Sequence, residues 1–312
     1  MKISRFAFIV SLGLILFSAG CGNVDLLFLA TETPTATLTP TLTPSATATI
    51  TPSPTITPTF TPSPIPTATW VSQGPDAVKV PILMYHHVEV APIVSNFRVS
   101  ASKFEDELRL LHDWGYTTIT TTMLVNAIQQ GAELPPRPII LTFDDAWEDN
   151  YTVAFPIMKK YGFTGVLYIP YTYIGAEGCL TADQLKEMVA AGWEIGSHSL
   201  SHPDLNTMPQ ERLRAEIVDS RKKLEGLLGV PILTFAYPYG DVGSTTVEYV
   251  KFANYIAAMG ATGFTADQGL SNLFVLQRCE IKGSEDAKTF IRFLPWQGDP
   301  AFLPTVAPTP TP

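Results

Sequence analysis

The sequence predicts an α/β fold, a parallel barrel of about seven strand–helix units, and three observations carry that prediction. Between residues 77 and 296, short apolar runs alternate with longer amphipathic stretches. Strands joined by helices of that length run parallel, because the crossover needs a dozen residues or more. Polar residues capable of chemistry fall just past the carboxyl ends of the apolar runs, which is where α/β barrels carry their sites.

Before that domain, Lys2 and Arg5 precede an apolar run, Phe6–Phe17, and then Ser18-Ala19-Gly20-Cys21. The run is short of the ~20 residues that span a bilayer as a helix. Positive residues, a short apolar core and small residues before a cut site read as a secretory signal over 1–20. The cysteine directly after Ala19-Gly20 gives it the form of a bacterial lipoprotein signal. Cys21 is then the lipidated first residue of an extracytoplasmic, membrane-anchored protein; an ordinary cleaved signal and a secreted protein is the alternative. Residues 21–76 are dominated by Thr, Pro, Ser and Ala from Thr31 to Thr69. Such a segment lacks the apolar side chains that offset chain entropy, so it reads as a disordered linker. In polyproline II form at ~3.1 Å per residue it reaches roughly 120 Å. Residues 297–312 repeat the Pro/Thr chemistry as a tail.

Within the domain the predicted strands are Val80–Tyr85, Ile139–Phe143, Gly165–Ile169, Trp193–Ile195, Thr234–Tyr237, Gly263–Thr265 and Phe274–Ile281. The predicted helices are Phe104–Trp114, Met123–Gln129, Val153–Tyr161, Ala182–Ala191, Gln210–Leu228, Thr246–Met259 and Glu285–Leu294. Capping boxes, Ser102 with Glu105 and Thr181 with Gln184, mark two helix starts. His112 falls on an amphipathic helix and reads as structural. The net charge is −9, and Arg221-Lys222-Lys223 is the one basic cluster. That balance argues against nucleic acid and anionic polymers as partners and permits a neutral glycan, or one that becomes cationic. Besides Cys21 there are Cys179 and Cys279; an oxidising compartment permits a disulfide between them, and each equally suits a buried apolar position.

Two runs carry the chemistry. Leu141-Thr142-Phe143-Asp144-Asp145 is a strand ending in adjacent carboxylates, and Ser197-His198-Ser199-Leu200-Ser201-His202-Pro203 offers two imidazoles four residues apart. Two His and one Asp hold a divalent zinc-like ion and leave a position open for water. A second carboxylate beside that water serves as its base, which is the equipment of a metal-assisted hydrolase.

Together with Phe235-Ala236-Tyr237-Pro238-Tyr239-Gly240, these runs resemble the polysaccharide deacetylase family, the NodB-homology domain of carbohydrate esterase family four. The opening run Val80-Pro81-Ile82-Leu83-Met84-Tyr85-His86-His87-Val88 resembles the branch that includes poly-N-acetylglucosamine deacetylases. The resemblance covers roughly residues 78–294 and implies an irregular (β/α) barrel of about seven strands. It implies that Asp145, His198 and His202 bind the metal, zinc first with cobalt or nickel as alternatives. It implies that Asp144 is the general base and that the Tyr239 backbone N–H polarises the acetyl carbonyl. The implied substrate is an N-acetylated polysaccharide that loses acetate.

Departures from the family pattern are equally specific. Ala146 stands where Gly usually follows the Asp pair, and Ala236 where an Arg often orients the base. The fourth motif is not recognisable around Phe264–Leu270, and no histidine follows His202 to act as general acid. Arg278, on the last predicted strand, is the candidate replacement for the missing arginine. The proton for the leaving amine is then supplied by Asp144 returning its own or by His86: alternation turns His86 and His87 to opposite faces, so at most one of the two reaches the site, and the resemblance places His86 at the barrel mouth. Trp147 and Tyr85 are candidate walls of the sugar pocket. Two other functions stay open, a polysaccharide O-acetyl esterase of the xylan type and a catalytically weak glycan-binding lipoprotein.

Overall fold

The computed structural model describes residues 69–90, 95–263 and 265–298. The readings on the signal, Cys21, the linker up to residue 68 and the tail beyond residue 298 lie outside the described residues. Among the described residues no helix is long and apolar enough to cross a membrane.

Seven parallel strands close into a barrel: β1 (Ile82–Tyr85), β2 (Pro138–Asp144), β3 (Val166–Ile169), β4 (Glu194–Ser197), β5 (Thr234–Ala236), β6 (Ala257–Thr262) and β7 (Leu276–Glu280). Each pairs with the next, and β7 returns to β1 with Cys279 opposite Leu83. Closure leaves no barrel strand with an open edge. The ring is uneven: β4 and β5 share one registered pair, Ser197 with Phe235, and the β6–β7 ladder shifts register between Met259 and Thr262. Around it lie α1 (Ala101–Asp113), α2 (Thr121–Gln130), α3 (Phe155–Lys160), α4 (Ala182–Ala190), α5 (Gln210–Arg214), α6 (Ser220–Leu228), α7 (Ser244–Phe252) and α8 (Ala287–Ile291).

Every residue of β2 is buried, as expected of a parallel strand covered on both faces. Alternation sorts its side chains. Leu141 and Phe143 join Leu83, Tyr85 and Leu167 in a cluster with Phe104 and Leu108 of α1. Ile140 joins Ile82, Val166, Tyr168, Met259 and Leu276, which fill the barrel. Removing each such side chain from water contributes roughly 1.5–3 kcal/mol. Gly196 belongs to this packing, because a Cβ there would lie 2.3 Å from the Tyr168 ring. By the same period of two, Thr142 and Asp144 follow Ile140 toward the interior, so the strand delivers Asp144 to the barrel mouth.

The structure corrects several expectations. The sixth strand is Ala257–Thr262, not Gly263–Thr265, and α7 stops at Phe252 rather than Met259. Ala257, Ala258 and Met259 read as helix because their helix propensity is high. Asn254, at φ 61°, reverses the chain after α7, a role Asn shares with Gly at helix ends. The N-cap of α1 is Ser100, whose side chain accepts from Lys103 N–H, rather than Ser102. The box at Thr181 and Gln184 is present. The single helix expected over Gln210–Leu228 is α5 and α6 joined by a π turn, Ala215–Asp219.

Candidate active site

A cavity of 550 Å³ opens at the carboxyl ends of the strands. Its floor is Asp144, which is 2% exposed and ends β2. The chain then turns sharply, with Asp145 at φ 73° and Ala146 at φ 60°. Left-handed backbone at two consecutive non-glycine residues is strained, and such strain collects at functional sites. It explains the family's glycine at the position of Ala146.

Asp145, His198 and His202 come together at the cavity wall, their ligand atoms within 4.8 Å of one another. His202 Nε2 lies 3.2 Å from His198 Nε2 and 3.3 Å from Asp145 Oδ1, and His198 Nε2 lies 3.7 Å from that oxygen. Ligand atoms bound tetrahedrally at ~2.0–2.2 Å sit about 3.3 Å apart, so this spacing fits a zinc-type ion. Burial pushes the His198 imidazole down to about 3, against the pull of the Asp144 carboxylate. Burial also lowers His202, with Asp144 again opposing. Both rings are therefore neutral at neutral pH. The Nδ1–H of His198 donates to the Ala236 carbonyl at 2.8 Å, leaving the Nε2 lone pair for the cluster. Asp145 Oδ1 is buried without a hydrogen-bond partner. Neutral nitrogens and an unpartnered carboxylate oxygen at this spacing are what a divalent cation completes.

Arg278, 1% exposed on β7, reaches past β1 to Asp144 in a bidentate pair: Nη1 to Oδ1 and Nη2 to Oδ2, each 2.8 Å. Its guanidinium also lies over the Tyr168 ring at 5.6 Å. Burial works to raise the Asp144 pKa, but the Arg278 guanidinium chiefly outweighs it and holds the carboxyl at about 2. Asp145 moves the other way, raised by burial and by the neighbouring Asp144 charge.

His86 and His87 both line the cavity, contrary to the expectation that they face opposite ways. Strand alternation ends with Tyr85, and the two histidines fall beyond β1, where His87–Glu89 pairs instead with Arg98–Ser100. The His86 ring packs edge-on against Phe97, and burial lowers its pKa while Asp144 and Asp145 pull it up. His87 stacks on Trp147 at 4.2 Å, and its Nδ1 lies 2.6 Å from Asp149 Oδ2. Tyr239 is 71% exposed at the rim, with φ 61°. Its ring meets His202 edge-on, and its hydroxyl donates to the His202 carbonyl at 3.3 Å.

Tyr85 does not wall the pocket. It shares the outer face of β1 with Leu83, is fully buried, stacks with Phe143 and donates to Glu107 Oε2 at 3.0 Å. Trp147 does line the cavity. Cys179 and Cys279 are both buried free thiols, so no disulfide joins them. His112 lies on α1, beside Asp113 and Tyr161 and away from the cavity. Sequence reasoning missed Asp149, Phe97 and the Ala236 carbonyl. Asp149 follows the Asp pair within four residues, a signal present in the sequence, whereas a backbone carbonyl such as that of Ala236 leaves no side-chain signature.

The chain matches the family description Polysaccharide deacetylase over residues 131–258. It is 30% identical to the Bacillus subtilis protein YxkH, named as a polysaccharide deacetylase, over 72% of this chain and 78% of that one. The chain belongs to the polysaccharide deacetylase family. Its fold matches the Streptococcus pyogenes deacetylase PplD, solved in complex with acetate, at a TM-score of 0.65 and 28% identity, covering 70% of this chain and 98% of that one. The poly-β-1,6-N-acetyl-D-glucosamine N-deacetylase of Staphylococcus aureus strain MRSA252 is 28% identical over 51% of this chain and 60% of its own length.

Proposed function

We propose that this polysaccharide deacetylase is a metal-dependent N-deacetylase that removes acetyl groups from N-acetylglucosamine units of an envelope or exported glycan. We further propose that Cys21 carries a lipid that anchors it at the extracytoplasmic face of the membrane. The observation that carries the enzymatic reading is the cluster of Asp145, His198 and His202 with the ionised Asp144 beside it. Those three residues would hold the ion, zinc first with cobalt or nickel as alternatives, and when bound it would supply a Lewis acid that brings the pKa of water toward ~7.

The chain's own residues do the rest. Asp144, kept as carboxylate by Arg278, takes a proton from the attacking water, and the bidentate pair fixes the plane of its oxygens. The water oxygen bonds to the acetyl carbon and the carbon–nitrogen bond breaks. The departing amine takes up the proton that Asp144 accepted, directly or relayed through His86, and acetate leaves. The Tyr239 backbone N–H is the donor for the tetrahedral oxyanion. Trp147, Phe97 and Tyr239 offer apolar faces to sugar rings at the cavity. The net charge of −9 suits a glycan that gains ammonium groups as it is deacetylated. The Staphylococcus relative's name supports the amino-sugar substrate.

Acetate release from N-acetylglucosamine oligomers and from acetylated xylan tests this, with Asp144→Asn and a chelated sample alongside. Release from the amino-sugar oligomers, lost in both controls and restored by zinc, is the expected result. Release from xylan alone would move the protein to O-acetyl esterase chemistry. Stoichiometric metal without turnover of either substrate would point to glycan binding.

A further inference from the structure

His198 and His202 bracket a short loop, and the structure shows what holds it. Within that loop Ser199 is at φ 71°, as His202 is at φ 59°. Non-glycine residues in this region cost of order 1–3 kcal/mol each and persist only where the surroundings over-determine them. The carbonyls of Ser199 and Leu200 accept from Tyr171 and Thr172 N–H at 3.2 and 2.9 Å. Three of the loop's donors go to one side chain, while His202 N–H donates to Ser199 Oγ at 2.8 Å. Glu216, 4% exposed, accepts Leu200 N–H at 3.0 Å and Ser201 N–H at 2.8 Å through Oε2, and the Ser201 hydroxyl at 2.7 Å through Oε1.

Glu216 lies in the π turn Ala215–Asp219. A π turn inserts a residue into the helix, changes which face the next side chains present, and is frequent at functional sites. The Ile217 carbonyl in this turn accepts from Ser220 Oγ at 3.0 Å and the Tyr255 hydroxyl at 3.1 Å. Ser197, next to His198, donates to Ser220 Oγ at 2.9 Å. The strand end before the first histidine and the loop between the histidines thus rest on the same irregular turn.

We propose that Glu216 is a positioning residue for the metal ligands: its carboxylate holds the 198–202 loop in the one conformation that aims both Nε2 atoms at Asp145. The inference rests on the metal reading of that cluster and extends it to a residue 14 positions beyond the second histidine, on another element.

The test measures zinc affinity of the full chain by competition with a chromophoric chelator, together with the d–d absorption of the cobalt form. Glu216→Ala should weaken zinc by about 10–100-fold and change the cobalt spectrum. Glu216→Gln, whose carbonyl oxygen still accepts from the two amides, should recover most of the affinity. Glu107→Gln alters another buried carboxylate, one bonded to Tyr85, and should keep wild-type zinc affinity whatever its stability. A folded Glu216→Ala protein with wild-type zinc affinity and cobalt spectrum overturns the proposal and leaves the metal reading intact. Where Glu216→Ala does not fold, Glu216→Asp, one methylene too short to reach both amides, carries the same expectation and the same refutation. A wild-type chain that takes up neither zinc nor cobalt overturns both.

Discussion

Replacing Arg278 by Met should destabilise the protein at neutral pH and reverse the pH dependence that Asp144 contributes. In the fold the Asp144 carboxyl sits at about 2 against an ordinary 3.8. A gap of roughly 2 units corresponds to about 2–3 kcal/mol favouring the folded state once the group is ionised. Because the shift is downward, that contribution is full above about pH 4 and is lost as pH falls through about 2. Burial, the largest influence on Asp144, acts upward and is overcome chiefly by the guanidinium. Without Arg278 the carboxyl should rise above 3.8, so stability should now increase as pH falls toward about 4. At neutral pH the variant leaves an unpaired buried charge, which costs about 3–5 kcal/mol. Asp144→Asn in the same background should recover much of that loss. Urea titrations of the four members of this cycle, from about pH 3 to about pH 8 with chelator present, measure both effects. A loss below about 1 kcal/mol with an unchanged pH slope would refute the reasoning.

Other outcomes follow from buried groups elsewhere in the barrel. Burial raises the Glu107 carboxyl to about 7, with Lys103 and Tyr85 opposing. Its contribution is therefore full below about pH 4.5 and is lost as pH rises through about 7, a fall of up to about 3 kcal/mol that Glu107→Gln should flatten in thermal melts. Tyr85→Phe should cost about 1 kcal/mol through the lost bond to Glu107 and leave KM unchanged, while Trp147→Ala should raise KM for the oligomer. An increase in KM for Tyr85→Phe would put that ring back at the pocket.

The features legible before folding are local. The adjacent carboxylates at the end of β2 and the four-residue spacing of His198 and His202 are set by covalent connectivity, so their chemistry was legible without a fold. The unbroken apolar run of β2 and the Thr181 capping box were legible for the same reason. The pairing of Arg278 with Asp144 joins residues 134 positions apart, and only closure of the barrel brings β7 to the side of β1 opposite β2, one strand away. The side of β1 that Tyr85 takes depends on register with β2, and the break at Asn254 depends on a backbone reversal that the helix propensity of the following residues concealed. His86 and His87 share the cavity because the chain leaves the barrel between them and Tyr85. Such choices rest on packing between distant segments, where register and burial override local preference.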